Sequence, residues 1–152
     1  MNKEMLRTKQ ELVELCKETQ KKMVESAKTA MSEAQQALNE YGANKDRFDS
    51  FRDQLIGRRE MFSGQYQKAL SDLHVIEQIN CHELKDKVEF GAIIISDTSR
   101  FIIAISSGKI EHGGVVYYAI SPAVPLYKAM EGMKAGDSFE FNGNRQVIKE
   151  LF

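Results

Sequence analysis

At 152 residues the chain has room for one ordinary domain or two small ones. Its 21 basic and 22 acidic residues leave a net charge of −1, which argues against wholesale nucleic-acid binding while leaving room for a local basic strip. No apolar run approaches the ~20 residues that span a bilayer, and Met1-Asn2-Lys3-Glu4-Met5 lacks the apolar core of a secretory signal, so no membrane partner is expected. Cys16 and Cys81 are too few for a disulfide framework, which makes a reducing cytoplasm the expected compartment.

From about Lys3 to Tyr41 the pattern is helical. Apolar or small residues recur at Val13, Cys16, Met23, Ala27, Ala30, Ala34, Ala37 and Tyr41, in steps of three and four that only Gln20 interrupts. Such a helix is on the order of 55–60 Å long. Gly42-Ala43-Asn44-Lys45 breaks it. A second helix is expected from near Asn44, a good N-cap, to Ile79-Asn80. Its seam is Phe48, Leu55, Phe62, Tyr66, Ala69, Leu73 and Ile76, interrupted at Arg52 and Arg59. Three-four spacing on both sides of a short turn predicts an antiparallel coiled-coil hairpin.

Asn80 to Lys87 reads as a junction, after which the pattern becomes strand-like. Val88 to Ser96 is rich in β-branched residues and ends at the turn signal Asp97-Thr98-Ser99; Arg100 to Ser106 is its expected hairpin partner. Gly108 to Gly114 reads as a loop and Val115 to Ile120 as a further strand. Pro125 starts a short helix that Gly132 stops. Phe139-Glu140-Phe141 and Arg145 to Leu151 flank the hairpin turn Asn142-Gly143-Asn144. The expected fold is therefore α+β, with a coiled-coil hairpin over 1–80 and a small antiparallel β-sheet domain with one short helix over 81–152.

The second part resembles the Gre family of bacterial transcription factors, GreA and GreB. The resemblance is most specific at Val124-Pro125-Leu126-Tyr127-Lys128-Ala129-Met130-Glu131-Gly132-Met133-Lys134-Ala135-Gly136-Asp137. The family pattern there is Ser-Pro-apolar-x-x-Ala-Leu-x-Gly-Lys-x-x-Gly-Asp, so Val124 and Met133 depart from it. Phe90-Gly91, Asp97 and Ile120-Ser121 also sit where the family places similar residues. The resemblance covers about Val88 to Phe152 in sequence and the whole chain in the order of its parts. It implies an FKBP-like β-domain that docks on RNA polymerase, with Pro125, Leu126, Gly132, Gly136 and Asp137 as the docking positions. It also implies a hairpin whose end enters the secondary channel of the polymerase.

In that family, acids at the hairpin end help hold the second Mg²⁺ of the polymerase and position water, so that backtracked RNA is cleaved. The protein is then no enzyme itself and has no cofactor of its own; Mg²⁺ is shared in the polymerase active centre. Carboxylates suit this, because Mg²⁺ prefers hard oxygen ligands and takes only one or two from a single protein. The family string Gly-Asp-Leu-x-Glu-Asn-x-Glu-Tyr is not present here. One register keeps Gly42 and retains a single acid, Asp46. A register slid by three places Asp46 and Asp49 in the two acid positions with Ser50 in place of asparagine, and this one is preferred. Lys45, Arg47, Arg52, Arg58 and Arg59 form the densest basic group, suited to nascent RNA or to polymerase acids.

These residues also have ordinary structural accounts. An aspartate in a first helical turn is favoured by the helix dipole, and mixed charge on a helix is often just a solvated face. Two other functional classes follow from that. One is a channel-occupying regulator or inhibitor without cleavage stimulation. The other is an isomerase-like or partner-binding β-domain whose coiled coil mediates association. Cys81-His82-Glu83 has no second ligand pair at metal-site spacing, with His74 and His112 isolated. No phosphate loop or nucleophile motif is present, so no small-molecule substrate is expected.

Overall fold

The structure, a computed structural model, describes residues 2–43 and 49–152. Helix α1 runs Asn2–Tyr41 and α2 runs Ser50–Glu77, and no described helix is long and apolar enough to cross a membrane. Strands and one short helix follow: β1 (Ile93–Ser96), β2 (Arg100–Ile103), β3 (Gly108–His112), β4 (Val115–Ile120), α3 (Pro125–Met130), β5 (Ser138–Phe141) and β6 (Asn144–Leu151). The chain divides into two compact units, Glu18–His74 and Met1–Lys17 with Val75–Phe152, so each long helix contributes to both.

The Glu18–His74 unit is a pair of antiparallel helices. Gln20 reaches Ala69 while Gln35 reaches Arg59, so positions rising along α1 meet positions falling along α2. The α1 seam differs from its expected course. Val24 and Leu38 are buried, whereas Met23 is 53% exposed. The cause is Gln20, which lies inside the seam rather than breaking it. Its Nε2 donates to the Ala69 carbonyl at 2.9 Å, which satisfies the amide and removes the usual cost of burying it. From Gln20 the inward positions continue through Val24, Ala27, Met31, Ala34, Leu38 and Tyr41. The additional step of four at Gln20 to Val24 is a stutter, which locally unwinds the coil.

In the other unit, six strands form one sheet in the order β3-β4-β2-β1-β6-β5. All neighbours are antiparallel except β2 and β4, which pair in parallel, so the expected antiparallel sheet carries one parallel pair. The reason lies in the stretch read as a loop. Gly108–His112 is an edge strand that pairs with β4 through a two-residue turn, Gly113-Gly114, both at positive φ. The chain thus passes from β2 out to the edge and returns through β4 into the space between, parallel to β2.

Alternation along β1 gives the sheet two buried faces. Ile93, opposite Ile102, packs with Leu12, Val13 and Cys16 of α1 and with Ile76 of α2. Ile94, opposite Phe101, packs on the other face with Tyr127 and Met130 of α3 and with Phe139 and Ile148. Fully burying one such side chain stabilises the fold by about 1.5–3 kcal/mol. One charged residue joins the first face. Lys9 is fully buried, with Nζ donating to the Glu83 carbonyl at 2.7 Å.

Candidate functional site at the end of the hairpin

Helix α1 stops at Gly42, which takes φ +82° and returns its N–H to the Leu38 carbonyl at 3.1 Å. This left-handed C-terminal cap strongly favours glycine. Helix α2 is described from Ser50, with Asp49 as its cap, and the expected cap Asn44 lies outside the described residues. The Asp49 carboxylate accepts the Arg52 backbone N–H at 3.1 Å, satisfying one of the donors that a helix start leaves bare.

The same carboxylate joins the two helices. The Tyr41 hydroxyl lies 3.0 and 2.9 Å from its two oxygens and donates to it. The Arg52 Nε donates back to the Gly42 carbonyl at 3.0 Å. The Tyr41 and Phe51 rings meet edge to face with centroids 5.1 Å apart, and Phe51 stays 54% exposed. Asp49 is half-buried within this arrangement. Its negative charge also lies at the positive end of the α2 dipole, which favours it there.

The other expected hairpin residues divide by orientation. Arg52 and Arg59 occupy half-buried seam positions, and Arg59 Nη1 reaches Gln35 Oε1 at 3.5 Å. Arg58 is exposed, with its guanidinium 5.7 Å from the centre of the Phe62 ring. Asp46, Lys45 and Arg47 lie outside the described residues. Among the described residues no group of three or more His, Cys, Asp or Glu is placed to hold a metal. Sequence reading missed Tyr41 as the partner of the carboxylate; its place in the α1 seam was the available signal.

In the β-domain motif Pro125, Gly132, Gly136 and Asp137 are exposed, whereas Tyr127 and Met130 are buried. Pro125 is the first residue of α3, and Leu126, the second, is half-buried. Gly132 and Gly136 turn the chain at φ +77° and +95°, and both are exposed. Gly132 N–H donates to Val88 O, and Val88 N–H to Met133 O, tying the segment to the start of the domain. Asp137 Oδ2 accepts the Lys134 N–H at 2.8 Å and closes the turn that leads into β5. The motif spacing therefore has a folding role wherever else it serves.

Two solved structures are similar to this chain. One is the transcription factor Gfh1, 16% identical over 88% of this chain and 89% of that one, with a TM-score of 0.34. The other is GreA factor homolog 1 (Gfh1) of Thermus thermophilus, 15% identical over 90% and 94%, with a TM-score of 0.33. No protein-family model and no curated protein matches the chain.

Because Asp49 caps α2 and also holds Tyr41, Asp49→Ala is expected to lower the unfolding free energy by about 1–2 kcal/mol. Asp49→Asn, which keeps an N-cap acceptor, is expected to cost about 0.5 kcal/mol. Urea titration of the two variants measures the difference, and equal stability of Asp49→Ala and the native chain would contradict the cap.

Proposed function

We propose that the chain is a Gre-type regulator that binds RNA polymerase through its β-domain, places the hairpin end in the secondary channel, and does not stimulate transcript cleavage. The partner is suggested by the motif from Pro125 to Asp137 together with the order of hairpin and sheet. The observation that favours occupancy over cleavage is the Asp49 carboxylate. It is engaged by Tyr41 and by the Arg52 amide, so turning it toward a polymerase Mg²⁺ would forfeit a cap and a charge-assisted hydrogen bond. Asp46 alone then supplies at most one acid, fewer than the pair that the cleavage reading needs. Arg58, exposed beside Phe62, is the described basic residue best presented to a phosphate or to a polymerase carboxylate.

The test is addition of the protein to stalled, backtracked elongation complexes. Binding without RNA shortening is the expected result, unchanged in Asp49→Asn. Shortened RNA that disappears with Asp46→Asn or Asp49→Asn would restore the cleavage reading, in which both acids share the polymerase Mg²⁺. Failure to bind polymerase at all would leave the β-domain as a module for another partner.

A further inference from the structure

The sheet face that receives α1 also carries a polar row unrelated to the hairpin end. Ile95 of β1 stands opposite Arg100 of β2 on one side and Glu150 of β6 on the other. The parallel ladder that pairs Phe101 with Tyr118 sets Arg100 beside Tyr117 of β4. Glu150, Ile95, Arg100 and Tyr117 thus lie in one row across adjacent strands, where paired side chains share a face. A cavity of about 290 Å³ opens over this row. Phe152 and Val115 extend its apolar floor, and Glu4 and Met5, near the start of α1, form the facing wall.

Two of its polar groups have no hydrogen-bond partner among the described residues. Arg100 is half-buried, yet its guanidinium has no hydrogen bond or ion pair among the described residues. Tyr117 is 6% exposed, and its hydroxyl likewise has no hydrogen bond among the described residues. No fully buried polar side-chain atom among the described residues is left unsatisfied, so that hydroxyl is not sealed in, and Tyr117 lines the cavity. The Tyr117 hydroxyl is held above its ordinary range chiefly by burial, while the nearby Arg100 and Glu150 charges act on it in opposite directions. Five guanidinium donors and a phenol facing a small void form a receptor for a carboxylate. The two glutamates at the rim disfavour a second negative charge and favour an ammonium.

We propose that this cavity binds a free α-amino acid with an aliphatic side chain. Its carboxylate lies on Arg100 and the Tyr117 hydroxyl, its ammonium toward Glu150 and Glu4, and its side chain on the floor formed by Ile95 and Phe152. The volume falls just below the range of drug-sized pockets, which suits one small molecule rather than a peptide. A chain terminus offers only one of the two charges, and phosphate offers neither the ammonium nor the apolar body.

Calorimetry on the full chain tests this with L-leucine, 4-methylpentanoate, L-leucinamide and inorganic phosphate. L-leucine is expected to bind saturably and to raise the melting temperature. 4-Methylpentanoate, lacking the ammonium, and L-leucinamide, lacking the carboxylate, are each expected to bind at least about 10-fold more weakly, and phosphate not at all. Arg100→Met is expected to abolish L-leucine binding. Glu150→Gln, on the exposed rim, is expected to weaken it about 10-fold with an unchanged circular-dichroism spectrum, which keeps the test open should Arg100→Met fold poorly. The proposal is overturned if L-leucine does not bind at ~10 mM, a concentration that reveals even millimolar affinity. It is equally overturned if 4-methylpentanoate or phosphate binds as tightly as L-leucine, or if Glu150→Gln binds as the native chain does.

Discussion

Between pH 7.5 and 9 the unfolding free energy is expected to rise by on the order of 1 kcal/mol, and Lys9→Met is expected to remove that rise. Lys9 is fully buried, and its ammonium is lowered from 10.5 to about 8. Burial is the main cause; the nearby Lys85 charge adds to it, and Glu83, Cys81 and Glu89 act weakly in the opposite direction. In the unfolded chain the same amine keeps its ordinary affinity for protons. Between about pH 8 and 10.5 the unfolded state therefore binds more protons, and stability must increase with pH across that window. At neutral pH the folded chain carries a cost on the order of 3 kcal/mol for keeping Lys9 charged in its buried place. Cys16 works against this trend higher up. Burial raises its thiol from 9.0 to about 11, so the folded state there holds a proton that the unfolded state releases, and stability falls from about pH 9 upward. The native profile should consequently climb to about pH 9 and then flatten. Urea titrations of the native chain and Lys9→Met at pH 7.5, 8.2 and 9, spaced by roughly the width of one titration step, measure the slope directly. A rise of the same size in Lys9→Met would show that another group causes it.

Lys9 also marks where the residues stop speaking for the fold. It falls one helical step before Val13, on the buried side of α1, but a lysine reads as solvent-facing unless its carbonyl partner 74 positions away is known. Gln20 was opaque for the same reason, since only the Ala69 carbonyl makes it a seam residue. Local chemistry, by contrast, was legible. The three-four rhythm located α1 to within a residue of its observed ends, and Pro125 and Asn142-Gly143 marked their helix and turn because each acts through its own backbone. Strand β3 was missed although Gly113-Gly114 is a strong hairpin signal, because an edge strand with Ile110 as its only large apolar residue shows no alternation to read. At the hairpin end, Asn44 and Asp49 are both good caps. The Asp49 cap is also held by Tyr41, which sequence spacing alone does not connect to it. The row from Glu150 through Arg100 to Tyr117 depends on strand register across separate ladders, and no local pattern encodes that.

Met130→Ala is expected to cost about 2–4 kcal/mol, and any polymerase binding of the kind proposed above should weaken in it only through loss of structure. Helix α3 has six residues, too few to be stable alone. Val124 at its start provides no side-chain cap, so the helix depends on what it buries, Tyr127 and Met130. Met130 is fully buried against the cluster that holds Phe139 and Ile148. Shortening it to alanine removes that contact and leaves a cavity that the short helix is poorly placed to refill. Leu126 provides the contrasting variant. It is half-buried and packs only at the edge of the same cluster, so Leu126→Asp is expected to cost about 1 kcal/mol. If the segment from Pro125 to Asp137 docks on polymerase, Leu126→Asp should nevertheless lose binding, since it places a charge in an apolar contact. Urea titration and polymerase pull-down on both variants separate the two effects. A Met130→Ala chain as stable as the native one would mean that α3 is not held by its buried face. A Leu126→Asp chain that binds polymerase normally would remove this segment from the proposed docking surface while leaving its part in the fold intact.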